Sequence, residues 1–308
     1  MRARLLSLGA VGLGAVVLTI ADRQKFFAKH GAAVELVAVA GTQIPDMTAA
    51  TPMGYIGAPA ALMRAASGAK IKILASFDSA RLTGGLIVSP GINGPDDMRG
   101  KRLGARVRGA ALWLHTVLAL EKLGLDPDRE NIEIAEVGDP AQIVAALAHG
   151  QIDGAVLPRA QCEQLEAMGF KVLLDFAPLS VHGCPDALVV LDDFLAQSEQ
   201  PIAIVAAMIE AAAFALSERN REQALLAVKS TLGIFEDGAA EKGLGELAAT
   251  LVRKPYPSIE RLRNMQRMMA TARPNVVSLN IDNVVDGRLV QKLDAAGYID
   301  QTYSSYAV

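Results

Sequence analysis

At 308 residues and 51% apolar composition, the chain has enough hydrophobic material for two ordinary domains with their own cores. A net charge of −3 from 30 basic and 33 acidic residues, without long single-sign runs, excludes nucleic acid or an anionic membrane surface as the main partner, and an aromatic content of 5% leaves few platforms for stacking bases. Cys162 and Cys184 have no Cys-x-x-Cys or His-rich company, so they form neither a zinc site nor a disulfide framework.

The chain opens with an apolar strand, Arg4-Leu5-Leu6-Ser7-Leu8-Gly9, and a glycine-rich turn at Val11-Gly12-Leu13-Gly14. A helix then runs to a glycine cap at Gly31, with Phe26 and Phe27 near its end and Asp22, Arg23 and Lys25 on its wetter side. Arg2 and Arg4 before the apolar stretch Leu5 to Ile20 imitate a secretory signal, with Thr19-Ile20-Ala21 as a poor cleavage site. The segment is read instead as strand and helix, because cleavage near residue 21 would remove the first βα unit. It is also short for a membrane span and interrupted by Gly9, Gly12 and Gly14. Next come a strand from Val34 to Ala38, a loop at Gly41-Thr42-Gln43-Ile44-Pro45, a strand from Met53 to Ile56, a helix from Ala58 to Ala66 and a strand from Ile71 to Ser76.

About one hundred residues later the pattern repeats. Arg102 to Val107 answers the first strand, Gly109 breaks it before the helix Ala110 to Leu123, and Ile132-Glu133-Ile134 answers Val34-Glu35-Leu36. Helix Pro140 to Ala148 carries Ile143, Val144, Ala146 and Leu147 at helical spacing. Gln151 to Val156 is a short buried strand, and Phe170 to Phe176 mirrors Ile71 to Phe77. Two apolar segments, Gly84 to Ser89 and Ala187 to Leu191, are read as crossing strands between the halves and so as the hinge. From Asp192 the pattern turns helical, over Ile202 to Ser217, Arg221 to Leu232, Ala239 to Val252 and Ile259 to Thr271, punctuated by Pro255, Pro257 and Pro274. The fold class is therefore α/β: two similar lobes joined by two crossing strands, with a helical C-terminal tail. The predicted lobes are 1–85 plus 187–308, tail included, and 86–186.

Two such lobes enclose a cleft, and the loops at the C-terminal ends of parallel strands present helix N-termini to it. The candidate ligand-binding residues are Gly12, Leu13, Gly14, Thr42, Gln43, Gly57, Ala58 and Pro59 in the first lobe, and Arg108, Gly109, Ala110, Trp113, Pro158, Arg159 and His182 in the second. Helix starts behind Gly12-Leu13-Gly14 and Gly109-Ala110 suit an anion. The forked guanidinium of Arg108 or Arg159 suits a carboxylate. Thr42 and Gln43 offer polar groups, and Gly57-Ala58-Pro59 opens a helix as a cleft wall. Trp113, the only tryptophan, covers an apolar ligand or packs on the sheet. There is no Gly-x-Ser-x-Gly elbow, phosphate loop or metal-ligand spacing, so no catalytic, cofactor or metal residues are assigned.

The strings Phe26-Phe27-Ala28-Lys29-His30-Gly31, Gly57-Ala58-Pro59-Ala60, Leu120-Glu121-Lys122-Leu123-Gly124-Leu125-Asp126-Pro127 and Gly150-Gln151-Ile152-Asp153-Gly154-Ala155, with the closing Lys292-Leu293-Asp294-Ala295-Ala296-Gly297-Tyr298-Ile299-Asp300, carry a family resemblance. In their order and spacing the chain resembles the ABC-transporter solute-binding proteins for nitrate, sulfonate and taurine, which are related to thiamine-precursor binding proteins. The resemblance covers residues 4–190 well and the tail more loosely. It implies a type II periplasmic-binding-protein fold, a monomer that closes on a small organic anion (a sulfonate or carboxylate, aromatic ones included) and hands it to a membrane permease. It implies a periplasmic location, with the export signal missing or trimmed from this chain, or a cytoplasmic one if the chain is complete as given. Val156-Leu157-Pro158-Arg159 stands where relatives have a Trp-Glu-Pro-Tyr-like stretch, and Arg108-Gly109-Ala110 where they often have Gly-Ser or Gly-Thr, so the ligand is expected to differ from theirs. The alternative is an enzyme of cofactor or thiamine-precursor metabolism on the same fold, and a third reading is a ligand-sensing domain.

Overall fold

The computed structural model describes residues 3–8, 14–39, 46–79, 81–179, 181–233 and 236–308. In chain order the first half holds β1 (Ala3–Leu8), α1 (Gly14–Arg23), α2 (Phe26–Lys29), β2 (Val34–Val39), β3 (Met53–Gly57), α3 (Ala58–Ala66) and β4 (Ile71–Ala75). Then follow β5 (Gly85–Val88), β6 (Arg102–Ala105), α4 (Ala111–Lys122), β7 (Glu133–Glu136), α5 (Pro140–Ala148), β8 (Gly154–Leu157), α6 (Arg159–Glu166), β9 (Lys171–Asp175) and β10 (Asp186–Leu191). The tail comprises α7 (Asp192–Gln197), α8 (Gln200–Leu216), α9 (Arg221–Leu232), α10 (Asp237–Thr250), α11 (Ile259–Met269), α12 (Arg288–Ala295) and α13 (Tyr298–Ser305).

The internal repeat is visible in the topology. One five-stranded sheet has the order β2-β1-β3-β10-β4 and the other β7-β6-β8-β5-β9. In each, three parallel strands lie beside an antiparallel one: β10 between β3 and β4, and β5 between β8 and β9. The two segments expected to cross between halves are thus these antiparallel strands, each a full member of one sheet. The crossings themselves are the stretches just before them, which meet in a bridge between Arg81 and His182. Apart from Asp186, both strands are apolar throughout because both sheet faces are covered.

The N-terminal apolar stretch is structural. Leu5 on β1 is fully buried at the centre of the first sheet, and Gly14 to Leu18, Ile20 and Ala21 of α1 are buried against α8 and α9. The expected single helix to His30 is broken in two, because Lys25 adopts a left-handed backbone at φ 58° and turns the chain into α2. No single helix among the described residues is long and apolar enough to cross a membrane.

The Ala-rich helix α8 is buried on most of its surface and carries one acid into that core, Glu210. Its carboxylate accepts from Lys29 Nζ at 2.5 Å and the Tyr306 hydroxyl at 2.7 Å, and lies 2.6 Å from His30 Nε2. This knot fastens α2, α8 and the C-terminal residues together. The tail packs against both halves. Leu262, Met265 and Met269 of α11 share one packed cluster with Ile56, Ala58 and Leu62 of the first half and with Ala105, Trp113 and Leu114 of the second.

Candidate functional site

The carboxyl edge of the first sheet gathers a set of polar groups. Tyr55 on β3 stands opposite Leu188, and Gly57 opposite Asp186, so Tyr55 and Asp186 project from the same face. Past the end of β4, Ser76 Oγ donates to the Asp186 carbonyl at 2.9 Å, and the Asp186 backbone N–H donates to Asp78 Oδ2 at 3.2 Å. Burial, and after it the Asp78 charge, pushes the Asp186 carboxyl up to about 7. The Tyr55 phenol is raised by burial and then by both acids, and the Cys184 thiol by burial and then Asp186. Beside Asp78 a cavity of about 200 Å³ runs under α11, lined by Ser76, Asp78, Pro185, Lys254, Tyr256 and Arg261. None of Tyr55, Ser76, Asp78 or Asp186 was singled out from the sequence. The signal available was acids at the mouth of two otherwise apolar strands.

Of the first-half candidates, Gly12, Leu13, Thr42 and Gln43 lie outside the described residues. Gly14 begins α1 against Tyr55: a β-carbon there would sit 2.4 Å from the phenol oxygen. Gly14→Val is accordingly expected to displace Tyr55 and cost about 1–3 kcal/mol by overpacking, read as a lower denaturation midpoint. Gly57, Ala58 and Pro59 do start α3 as expected, but the Ala58 N–H donates to the Pro185 carbonyl at 2.9 Å, so this helix start is already closed by the return crossing.

In the second half, the first turn of α4 has no side-chain cap and no acid. Its first N–H groups have no side-chain partner, as is also true of α6 behind Pro158. α5, by contrast, is closed by its own Asp139–Gln142 capping box. Gly109, at φ 78°, turns the chain into α4 after Arg108, and Ala110 takes the cap position. The Arg108 guanidinium lies over the Trp113 ring, 5.4 Å from its centre. Trp113 is buried at 5% exposure in the cluster it shares with both halves, and its indole N–H has no partner among the described residues. Arg273, beyond α11, donates from Nη2 to the Arg108 carbonyl at 3.0 Å, tying tail to α4.

Two candidates change character. Arg159 opens α6 behind Pro158 but is paired with Asp175 at 3.1 Å and Glu163 at 3.4 Å, and Glu163 is held in turn by Lys242 of α10 at 2.7 Å. It is a member of a bridge between halves, with its charge already matched, where the sequence offered a free anion clamp. His182 is largely exposed, and the slight desolvation it does undergo, with the charges of Arg261 and Arg81, lowers its basicity. A second histidine, His115 of α4, reaches the return crossing from the other half: it is buried and pushed down to about 4, and its Nε2 accepts the Cys184 N–H at 3.0 Å. Among the described residues no group of His, Cys, Asp and Glu is arranged to hold a metal ion.

The family model described as NMT1/THI5 like matches residues 15–221, most of both α/β halves. The chain belongs to the NMT1/THI5-like family. No curated protein sequence matches it. Among solved structures, the alkanesulfonate-binding protein SsuA from Xanthomonas axonopodis pv. citri, bound to MOPS, is 18% identical with a TM-score of 0.72, over 92% of this chain and 98% of that one. The periplasmic nitrate-binding protein NrtA from Synechocystis PCC 6803 is 15% identical with a TM-score of 0.74, over 96% of this chain and 88% of that one. The desulfurization enzyme DSZB is 16% identical with a TM-score of 0.68, over 96% and 100%. These likenesses establish the two-lobed type II periplasmic-binding-protein fold with a helical tail.

Proposed function

We propose that the chain is the solute-binding component of an ABC importer, working in the periplasm as a monomer and delivering a small organic solute to a membrane permease. The lobes are taken as 1–85 with 187–308, and 86–186, closing about the crossings that precede β5 and β10. The observation that supports this reading is the pair of sheets of one strand order, joined at crossings that bridge between Arg81 and His182, with an uncapped start of α4 in one half and the polar groups around Asp186 in the other. A sulfonate or carboxylate on the solute is read as docking at the first turn of α4, beside Arg108 and Trp113, where the helix N–H groups and the guanidinium favour negative charge. Closure is stabilised because only the closed form lets both lobes touch the solute.

A thermal-shift screen against aliphatic and aromatic sulfonates and carboxylates tests this, with intrinsic fluorescence as a second readout because Trp113 is the only tryptophan. Ligand at about a hundred times its dissociation constant adds roughly 2.7 kcal/mol. A rise in midpoint with a change in Trp113 emission supports the reading; cooperative melting unmoved by every compound, with silent fluorescence, overturns it. Arg273→Ala removes the tie to the Arg108 carbonyl and is expected to shift the lobes towards the open form by up to about tenfold, since such a hydrogen bond is worth about 0.5–1.5 kcal/mol. Small-angle scattering reads this as a larger radius of gyration.

The enzyme alternative draws on the likeness to DSZB. Both thiols are held protonated by burial, Cys162 pushed up to about 11 and Cys184 further, which disfavours a cysteine nucleophile in either place. At pH 8 neither is expected to react with iodoacetamide in the native protein faster than a free thiol, as mass spectrometry would show.

A further inference from the structure

Outside the crossings the two halves meet on two flanks of different chemistry. Leu86 and Val88 of β5 share a cluster with Leu118 and Leu120 of α4, whereas Ile87 between them shares one with Cys162 and Leu165 of α6, so α4 and α6 cover opposite faces of the second sheet. The first sheet divides in the same way. Leu188 and Val190 of β10 cluster with Leu244 and Leu247 of α10, and Ala187 and Val189 with Leu262 and Met265 of α11. Where α11 meets α4, the contact is an apolar cluster common to both halves, with Arg273 tied to the Arg108 carbonyl beside it. Where α10 meets α6, the two apolar clusters stay separate and charge makes the join among the described residues. Lys242 Nζ donates to Glu163 Oε2 at 2.7 Å, and Arg159 lies 3.4 Å from Glu163 Oε1.

α10 is fastened at its far end to the first crossing, where the Ser79 N–H donates to the Thr250 carbonyl at 2.7 Å and the Val252 N–H to the Phe77 carbonyl at 3.0 Å. Lys242 lies two turns earlier, and Glu246, half-buried between them, has its carboxyl raised by burial and then by the charge of Glu163. The helix is thus held at the crossing and reaches the other half through an exposed ammonium and a carboxylate. Such a contact is weak and screened by salt, so it parts at little cost. Separating α11 from α4 would instead expose apolar surface.

We propose that Lys242 of α10 and Glu163 of α6 form an electrostatic latch between the halves, which favours the closed arrangement before any solute is bound and loosens as ionic strength rises. The latch itself needs no solute; that it governs entry and release rests on the solute-binding reading above. Arg159, paired in turn with Asp175 at 3.1 Å, holds the Glu163 carboxylate from within its own half and is not broken by opening. A single exposed pair biases the equilibrium by about two- to fivefold. That is small enough for solute contacts to take control once both halves touch the ligand.

Small-angle scattering of the ligand-free chain tests this at about 0.01 M and 1 M sodium chloride, where the Debye length is about 30 Å and 3 Å. Wild type and Lys242→Arg are expected to expand as salt rises. Lys242→Glu sets like charges against each other, so it is expected to be more open than wild type at low salt and to contract as salt screens the repulsion. Glu163→Gln removes the group repelled, and adding Lys242→Glu to it should change neither the radius of gyration nor its salt dependence. Circular dichroism melts check that each variant is folded. A radius of gyration that is the same in every variant at both salt concentrations, or a Lys242→Glu expansion that persists with Glu163→Gln, overturns the latch. With any compound that binds, release followed by Trp113 emission is expected to be about two- to fivefold faster in Lys242→Glu, and release at the wild-type rate overturns the latch's part in exchange. Scattering that behaves as expected while no compound binds upholds the latch and removes the solute-binding reading. Binding with unmoved scattering does the reverse.

Discussion

Glu210→Ala is expected to destabilise the protein by about 3 kcal/mol, the low end for breaking a buried charge pair. The low end applies because Lys29, one of its partners, is largely exposed and regains water when released. The other partners do not: His30 and Tyr306 are packed around the carboxylate, and the Tyr298 hydroxyl lies 3.1 Å from His30 Nε2 and donates to the Ala206 carbonyl. Alanine leaves these groups facing a cavity with one acceptor gone. Burial tends to raise the Glu210 carboxyl, but the hydrogen bonds from Lys29, Tyr306 and His30 outweigh it and hold it below the ordinary value. A depressed carboxyl contributes stability that is present above its unfolded pKa of about 4.3 and is lost as pH falls through the folded value. Urea melts of Glu210→Gln against wild type should therefore differ most near pH 7 and converge towards pH 3. A difference unchanged with pH would mean that the carboxylate's charge contributes nothing and only its shape matters.

The helical knot around Glu210 was invisible in the sequence for the same reason that the acid pair of the cleft was. Both join residues far apart in the chain, and no periodicity marks such a meeting. The two α/β halves were legible because each βα unit carries its own punctuation: Pro59 at an early helical position, Gly31 and Gly124 with left-handed backbones where helices stop, Pro140 opening α5. Apolar runs such as Leu86-Ile87-Val88 and Leu188-Val189-Val190 were legible as strands too. Their role in the sheets was not, since an antiparallel partner is chosen by topology and not by the strand's own residues. Arg159 shows the limit at the level of one side chain. Its place at the start of α6 was expected, but its charge is consumed by Asp175 and Glu163, which only the folded register brings within reach.

Trp113→Ala is expected to cost about 3–5 kcal/mol, the range for truncating a buried large aromatic, and to do so at the junction of the two halves. The ring is buried in the cluster that holds Ile56 and Leu62 from the first half and Met265 and Met269 from α11, while its own helix belongs to the second. The cavity left by alanine therefore weakens the packing between halves as well as within one. Circular dichroism melts should show a lower midpoint, and small-angle scattering a more open molecule. Trp113→Phe separates the two things the indole does. It keeps most of the apolar surface and the face under the Arg108 guanidinium, but removes an N–H that is buried without a partner among the described residues. An unpaired buried donor carries a penalty of about 1–3 kcal/mol, so phenylalanine is expected to recover most of the stability that alanine loses. If phenylalanine is instead as destabilised as alanine in ligand-free protein, the N–H has a partner in solution and the packing account of this residue is wrong. If phenylalanine melts like wild type but binds solute more weakly, the unpaired N–H is a donor held for the ligand, and Trp113 belongs to the binding surface as well as to the seam between the lobes.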